Sequence, residues 1–157
     1  MVENQITVEK NFQVSEVQLT YRPSFKPSER PKITSSNDAY QILKTGWDVG
    51  KLEFIEQFKV ILMNRANRVL GIFLVSQGGI AGTVADPKVI FAAALKSSAS
   101  SILLAHNHPS GNLNPSQADI DLTRKIKTGG QILDIGVYDH IILTGEGFYS
   151  FADEGMM

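Results

Sequence analysis

The feature that most constrains the fold is short. Residues 102–105 read Ile-Leu-Leu-Ala, apolar at every position. A strand with one wet face alternates apolar and polar residues, whereas an unbroken apolar run has to be covered on both faces. The stretch "SSILLAH" is therefore expected to be a central strand of a sheet flanked by helices. "ADPKVIFAAALKSSA" supplies one such helix, with Asp86 as N-cap and Pro87 at the first helical position. Its interior is apolar almost all round, as expected of a helix packed against a sheet. A second helix is expected from about Ser116 to Thr128, stopped by the glycine pair 129–130.

The other segments fit this frame. "QFKVILMN" and "RVLGIFLVSQGG" read as a hairpin, with the polar "RAN" as its tip and Gly78, Gly79 and Gly82 in the turn that follows. "SSNDAYQILKTGW" opens with a serine cap and an acidic first turn, then places Ala39, Ile42 and Leu43 at helical spacing up to Gly46. "ILDIGVYDHIILT" reads as a further strand region and "GFYSFAD" as a short last strand. The expected order is helix, strand, strand, helix, strand, helix, strand, strand, a mixed α/β sandwich. Ahead of it, residues 1–33 read as an extension and linker. They hold one expected strand, "EVQLTYR" (16–22), and then the proline-rich "PSFKPSERPK".

Composition narrows the function classes. The 157 residues contain no cysteine, which removes disulfides and thiolate chemistry. The formal net charge is −1 without a long basic tract, so composition does not predict strong electrostatic binding to nucleic acid. No apolar run approaches the roughly 20 residues of a membrane span. The first ten residues show no basic-then-apolar export pattern. A cytoplasmic protein with no membrane partner is the expectation.

The chemistry concentrates at "AHNHPSGNLNPSQAD", residues 105–119. His106 and His108, two of the three histidines, fall at i and i+2 on a strand end and point to the same side. Two imidazoles so placed can bind one cation, and with no thiolate at hand a histidine–carboxylate set suits Zn²⁺ with an open position for water. Asp119, in the first turn of the next helix, is the obvious third ligand, and Ser116 shares its helix face. Ser116-x-x-Asp119 is also a capping box, and an aspartate committed to a metal is expected to complete that box poorly. Asp121, about 200° round the helix by the ordinary helical period, should face away. The role of Glu56, just ahead of "FKVILMN", is not fixed by spacing. Arg65 and Arg68 read as a solvated hairpin tip. His140, beside Asp139, reads as a satisfied strand histidine, with a place behind the metal ligands or facing substrate as the alternatives. Pro109, Gly111 and Pro115 read as turn chemistry.

"HNHPSGNLNPSQAD" resembles the JAMM motif of the JAB/MPN metalloprotease superfamily. "EQFKVILMNRANRVLG", "GTVADPKVIFAAAL", "ILLAHNHPSG" and "YDHIIL" are similar, in order, to the RadC family of bacterial JAB-domain proteins. The resemblance spans residues 34–157 and implies a JAB/MPN, cytidine-deaminase-like sandwich with a mixed curved sheet flanked by helices. It implies Zn²⁺ held by His106, His108 and Asp119, with Glu56 as general base and Glu53 as the fallback. Ser116 would help hold the oxyanion. The implied activity is hydrolysis of a peptide or isopeptide amide in a peptide or protein conjugate. The chain lacks the long insertion that receives ubiquitin in eukaryotic members, so that substrate is not implied. On this reading, residues 1–33 are expected to stand in place of the helical, DNA-binding-like N-terminal domain that full-length RadC proteins resemble. A DNA-repair-associated accessory role is the alternative, with nucleic acid as partner by family association alone. A metal-dependent nuclease would ordinarily want more carboxylates than this cluster offers.

Overall fold

The computed structural model describes residues 14–79 and 83–157. Gly82 and the first 13 residues, with the export-signal reading placed there, lie outside them. Five strands form one sheet: β1 (Gln57–Met63), β2 (Val69–Gln77), β3 (Ser101–Asn107), β4 (Gly136–Leu143) and β5 (Phe148–Ser150). Their order is β2-β1-β3-β4-β5, so the apolar run lies on the middle strand. The β3–β4 pair is parallel and the other pairs are antiparallel. Ile102 and Leu104 are 0% exposed on one face and Leu103 4% on the other, as a strand covered twice requires.

Helix α1 (Ser36–Gly46) covers one face, packing Ala39, Tyr40 and Leu43 against Ile61, Met63, Leu103, Ala105 and Ile141. On the other face α3 (Pro87–Lys96) and α4 (Gln117–Leu133) bring Ile90, Ala94 and Ile126 against Val60, Leu62, Ile102 and Leu104. Caps set the starts as read from the sequence. The Ser35 hydroxyl accepts the Asp38 N–H, and the Asp86 carboxylate accepts the Lys88 N–H. Two short helical segments were not anticipated: a 3₁₀ turn at Pro27–Glu29, inside the stretch read as linker, and α2 (Val49–Leu52), capped by Asp48. No helix among the described residues is long and apolar enough to cross a membrane.

Four sequence expectations are corrected. Residues 16–22 are not a strand; Val17 and Leu19 are exposed, and the Tyr21 hydroxyl donates to the Leu70 carbonyl of β2. Alternation alone supplies no ladder partner. Helix α4 does not stop at Gly129–Gly130 but runs on to Leu133, ending at Asp134 in the left-handed region (φ 54°). The glycines serve close packing instead: a Cβ at Gly130 would sit 2.5 Å from the Ile135 carbonyl oxygen and 2.8 Å from Val137. Strand β4 accordingly begins at Gly136, leaving Ile132 and Leu133 helical. Helix α3 is apolar all round yet buries only Ile90 and Ala94 fully, and its Val89 and Leu95 are exposed. Arg68 is not a free hairpin tip: its guanidinium donates to the Arg30 carbonyl at 2.8 Å, while the Val69 N–H reaches the Pro31 carbonyl at 2.9 Å. Arg65 is exposed, as expected.

Candidate metal centre

Strand alternation sorts the end of β3 into two faces. His106 continues the Ile102–Leu104 face toward α4, and Asn107 continues the Leu103–Ala105 face toward α1. Beyond the strand, the His108 N–H reaches the Leu143 carbonyl at 3.2 Å, which pins the chain beside β4. The loop then turns at Gly111, whose φ of +82° suits glycine, and Ser116 starts α4. That return carries Asp119 to the histidines.

The three side chains meet. Nε2 of His106 lies 3.3 Å from Asp119 Oδ1, and Nε2 of His108 lies 3.6 Å from Oδ2. The two Nε2 atoms are 2.9 Å apart, and one ligand atom from each residue falls within a mutual 4.8 Å. His108 Nδ1 stands 2.6 Å from the Asn112 carbonyl, which only accepts, so Nδ1 carries the proton and Nε2 is turned inward. A cation is the group this donor set suits. Two nitrogens facing at such a distance need a positive charge or a proton between them, and a carboxylate completes the cluster.

Asp119 also completes the capping box, contrary to expectation. Its Oδ2 accepts the Ser116 N–H at 2.7 Å, and its own N–H donates to Ser116 Oγ at 3.1 Å. Burial opposes the carboxylate charge. When the imidazoles are protonated, hydrogen bonds from His106 and His108, the charge of His106 and the Ser116 N–H together outweigh it and hold Asp119 well below the usual carboxylate range. The Asp119 bond raises His108 above its ordinary value against burial, helped by Asn112 and by the charges of Asp119 and Glu56.

His140 is not an isolated strand histidine. It is fully buried, with Nε2 2.8 Å from His106 Nδ1 and Nδ1 2.7 Å from Thr123 Oγ1. Burial holds its pKa well below the ordinary imidazole value, and the charge of His106 adds to this. Asp139 beside it turns away, accepting the His140 and Ala152 N–H groups and the Ser150 hydroxyl, which ties β4 to β5. Asp121 faces outward, bonded to Gln117 and 3.7 Å from Arg124.

A cavity of about 1190 Å³ opens on the cluster, lined by His108, Ser116 and Asp119 and also by Glu56. Ser76, Gln77 and Thr83 from β2 and the turn after it belong to the same lining. Glu53, the fallback base, has its carboxylate beside Gly145 and is not among the lining residues. Sequence reasoning missed two supporting residues. Thr123, four residues after Asp119, faces the same way on the helix. Asn107 is a fully buried amide whose one available signal was its place between two histidines. It accepts the Gln57 N–H at 2.7 Å and donates to the Leu52 and Ile55 carbonyls at 2.8 and 2.9 Å, clamping the loop that bears Glu56.

Fold and cluster together define a class: an α/β sandwich with a His–His–Asp donor set where the central strand meets the next helix. The sequence profile described as "RadC-like JAB domain" matches residues 33–156, and the chain belongs to that family. A protein of Flavobacterium johnsoniae named "UPF0758 protein" is 48% identical over 125 residues, which is 80% of this chain and 53% of that relative. Its Porphyromonas gingivalis namesake is 36% identical over 137 residues, covering 86% and 59%. A Thermosynechococcus vestitus relative is 48% identical over 94 residues, covering 60% and 37%. The chain thus spans about half the length, or less, of these relatives.

Proposed function

We propose that the chain is a Zn²⁺-dependent hydrolase that cleaves an amide bond, peptide or isopeptide, in a peptide or protein conjugate. His106 Nε2, His108 Nε2 and an Asp119 oxygen would hold the ion. The ion, when bound, polarises the scissile carbonyl and makes water a competent nucleophile near neutral pH. Glu56 takes the proton from the attacking water and passes it to the leaving amine. Ser116 Oγ already accepts the Asp119 N–H, so its own hydrogen is free to donate to the developing oxyanion.

The observation that carries this reading is that one cavity wall holds His108, Asp119, Ser116 and Glu56 together. The lining also favours an amide over a phosphodiester: among its described residues Glu56 and Asp119 are charged and none is lysine or arginine. Apart from the ion and His108, the lining therefore offers a phosphate backbone no positive partner. The test compares cleavage of a peptide library, followed by mass spectrometry, for the wild type and Glu56→Gln at equal Zn²⁺ occupancy. The variant should keep its metal and lose about 10²–10⁴-fold in rate, the usual worth of a general base. Full activity in Glu56→Gln, or loss of its zinc, overturns the assignment of Glu56.

A further inference from the structure

We propose that His140 and Thr123 form a proton-locked relay that fixes the tautomer of His106, presenting its Nε2 as a lone-pair donor. This rests on the metal-site reading above, although the relay is present whether or not an ion is bound. Its direction follows from the end that cannot donate. Thr123 Oγ1 lies 2.6 Å from the Asp119 main-chain carbonyl, which only accepts, so the single hydroxyl hydrogen is committed there. Toward His140 Nδ1, at 2.7 Å, the same oxygen can therefore only accept, and the proton sits on Nδ1.

The ring of His140 lies between Phe151, stacked at 4.7 Å between centroids, and Phe58, edge-on at 5.4 Å. A second proton on a ring so enclosed would be an uncompensated charge against two aromatic hydrocarbons. His140 is neutral, and its Nε2 accepts. His106 Nδ1, 2.8 Å away, must then donate. The remaining nitrogen of His106, Nε2, is left bare toward His108 and Asp119. The opposite polarity would put a hydrogen on His106 Nε2, in the position a cation needs. His140 and Thr123 are positioning residues, since neither faces the cavity lined by the cluster. The same helix turn serves both ends of the arrangement, because Asp119 offers its carboxylate to the histidines and its carbonyl to Thr123.

Two measurements test this. Long-range ¹H–¹⁵N correlation spectra of the metal-free chain should show Nδ1–H and bare Nε2 on both His106 and His140, with the proton between the facing Nε2 atoms carried by His108. Zn²⁺ affinity by chelator competition should fall about 10–100-fold in Thr123→Val, the usual cost of losing support behind a metal ligand, and return in Thr123→Ser. A hydrogen on His106 Nε2, or equal affinities for Thr123→Val and Thr123→Ser in a chain that binds Zn²⁺, overturns the relay and spares the metal site. The expected tautomers in a wild type that takes up no Zn²⁺ support the relay and overturn the metal reading.

Discussion

Replacing Asn107 with alanine separates what holds the proposed base in place from what holds the proposed metal ligands; in this strand the two tasks fall on opposite faces. The side chain makes three hydrogen bonds, at 2.7, 2.8 and 2.9 Å, to a loop about 50 residues earlier in sequence. Truncation leaves the Gln57 N–H orphaned in a residue only 3% exposed. An unsatisfied buried donor costs about 1–3 kcal/mol, and each carbonyl that can turn to water roughly 0.5–1. The sum is about 3 kcal/mol, a Tm drop of roughly 6–12 °C for a domain of this size. Urea denaturation should show the lower midpoint with an unchanged slope. Zn²⁺ uptake should persist, because His106 and His108 face the other way, while hydrolysis fails as the Glu56 loop loosens. Asn107→Asp is the sharper control. It keeps an acceptor for Gln57 but sets a carboxylate against the Leu52 and Ile55 carbonyls, so its loss should shrink on acidification. A stability loss under about 1 kcal/mol, or Zn²⁺ lost along with the loop, would refute the division of labour.

On the proposed ligation, protons compete with Zn²⁺ for His108, whose pKa is raised, so as pH falls the chelator-competition affinity should already be declining before pH 6.5 is reached. In the metal-free chain the signs differ among groups. His140, lowered by burial, contributes stability above the unfolded value of about 6.5 that is lost as pH falls, and Asp119, depressed, behaves likewise below about 3.9. His108 acts oppositely, its contribution fading as pH rises through its raised value, so melts in chelator should show acid loss beginning near pH 6.5 and only partly offset. Gly130→Ala should cost about 1–3 kcal/mol through overpacking against the Ile135 backbone, outweighing roughly 1 kcal/mol of helix propensity. Gly129→Ala meets only the Phe91 ring, at 2.7 Å, which can swing aside, so its melting point should barely move.

Legibility in the sequence followed the range of the interaction. The central strand, the hairpin and the caps at Ser35, Asp86 and Ser116 are local patterns, and all appear where local physics puts them. The glycine pair 129–130 misled because a stop signal and a close-packing residue have the same identity; only the sheet beneath α4 distinguishes them. Residues 16–22 misled because alternation describes one segment, whereas a strand is defined by a partner. At the site, His106, His108 and Asp119 were legible as a spacing. Asn107, Thr123 and the role of His140 were not, since each acts through a contact made 17 to 55 residues away or along one helix turn.

Asp119 shows how one residue serves two readings that looked exclusive. A carboxylate has two oxygens and about four lone-pair positions. Oδ2 accepts the Ser116 N–H, while Oδ1 stands 3.3 Å from His106. The cap thereby fixes the rotamer that the proposed ligand role needs. A consequence can be tested at Ser116. The bond that holds Asp119 comes from the backbone N–H, which Ser116→Ala retains; what it loses is the hydroxyl that accepts the Asp119 N–H. Losing an N-cap side chain costs about 0.5–2 kcal/mol. Ser116→Ala should therefore melt lower by that amount and hydrolyse more slowly, yet bind Zn²⁺ with wild-type affinity. A tenfold loss of Zn²⁺ affinity in this variant would mean that the hydroxyl, not the backbone, sets the carboxylate, and the shared use of Asp119 would have to be abandoned.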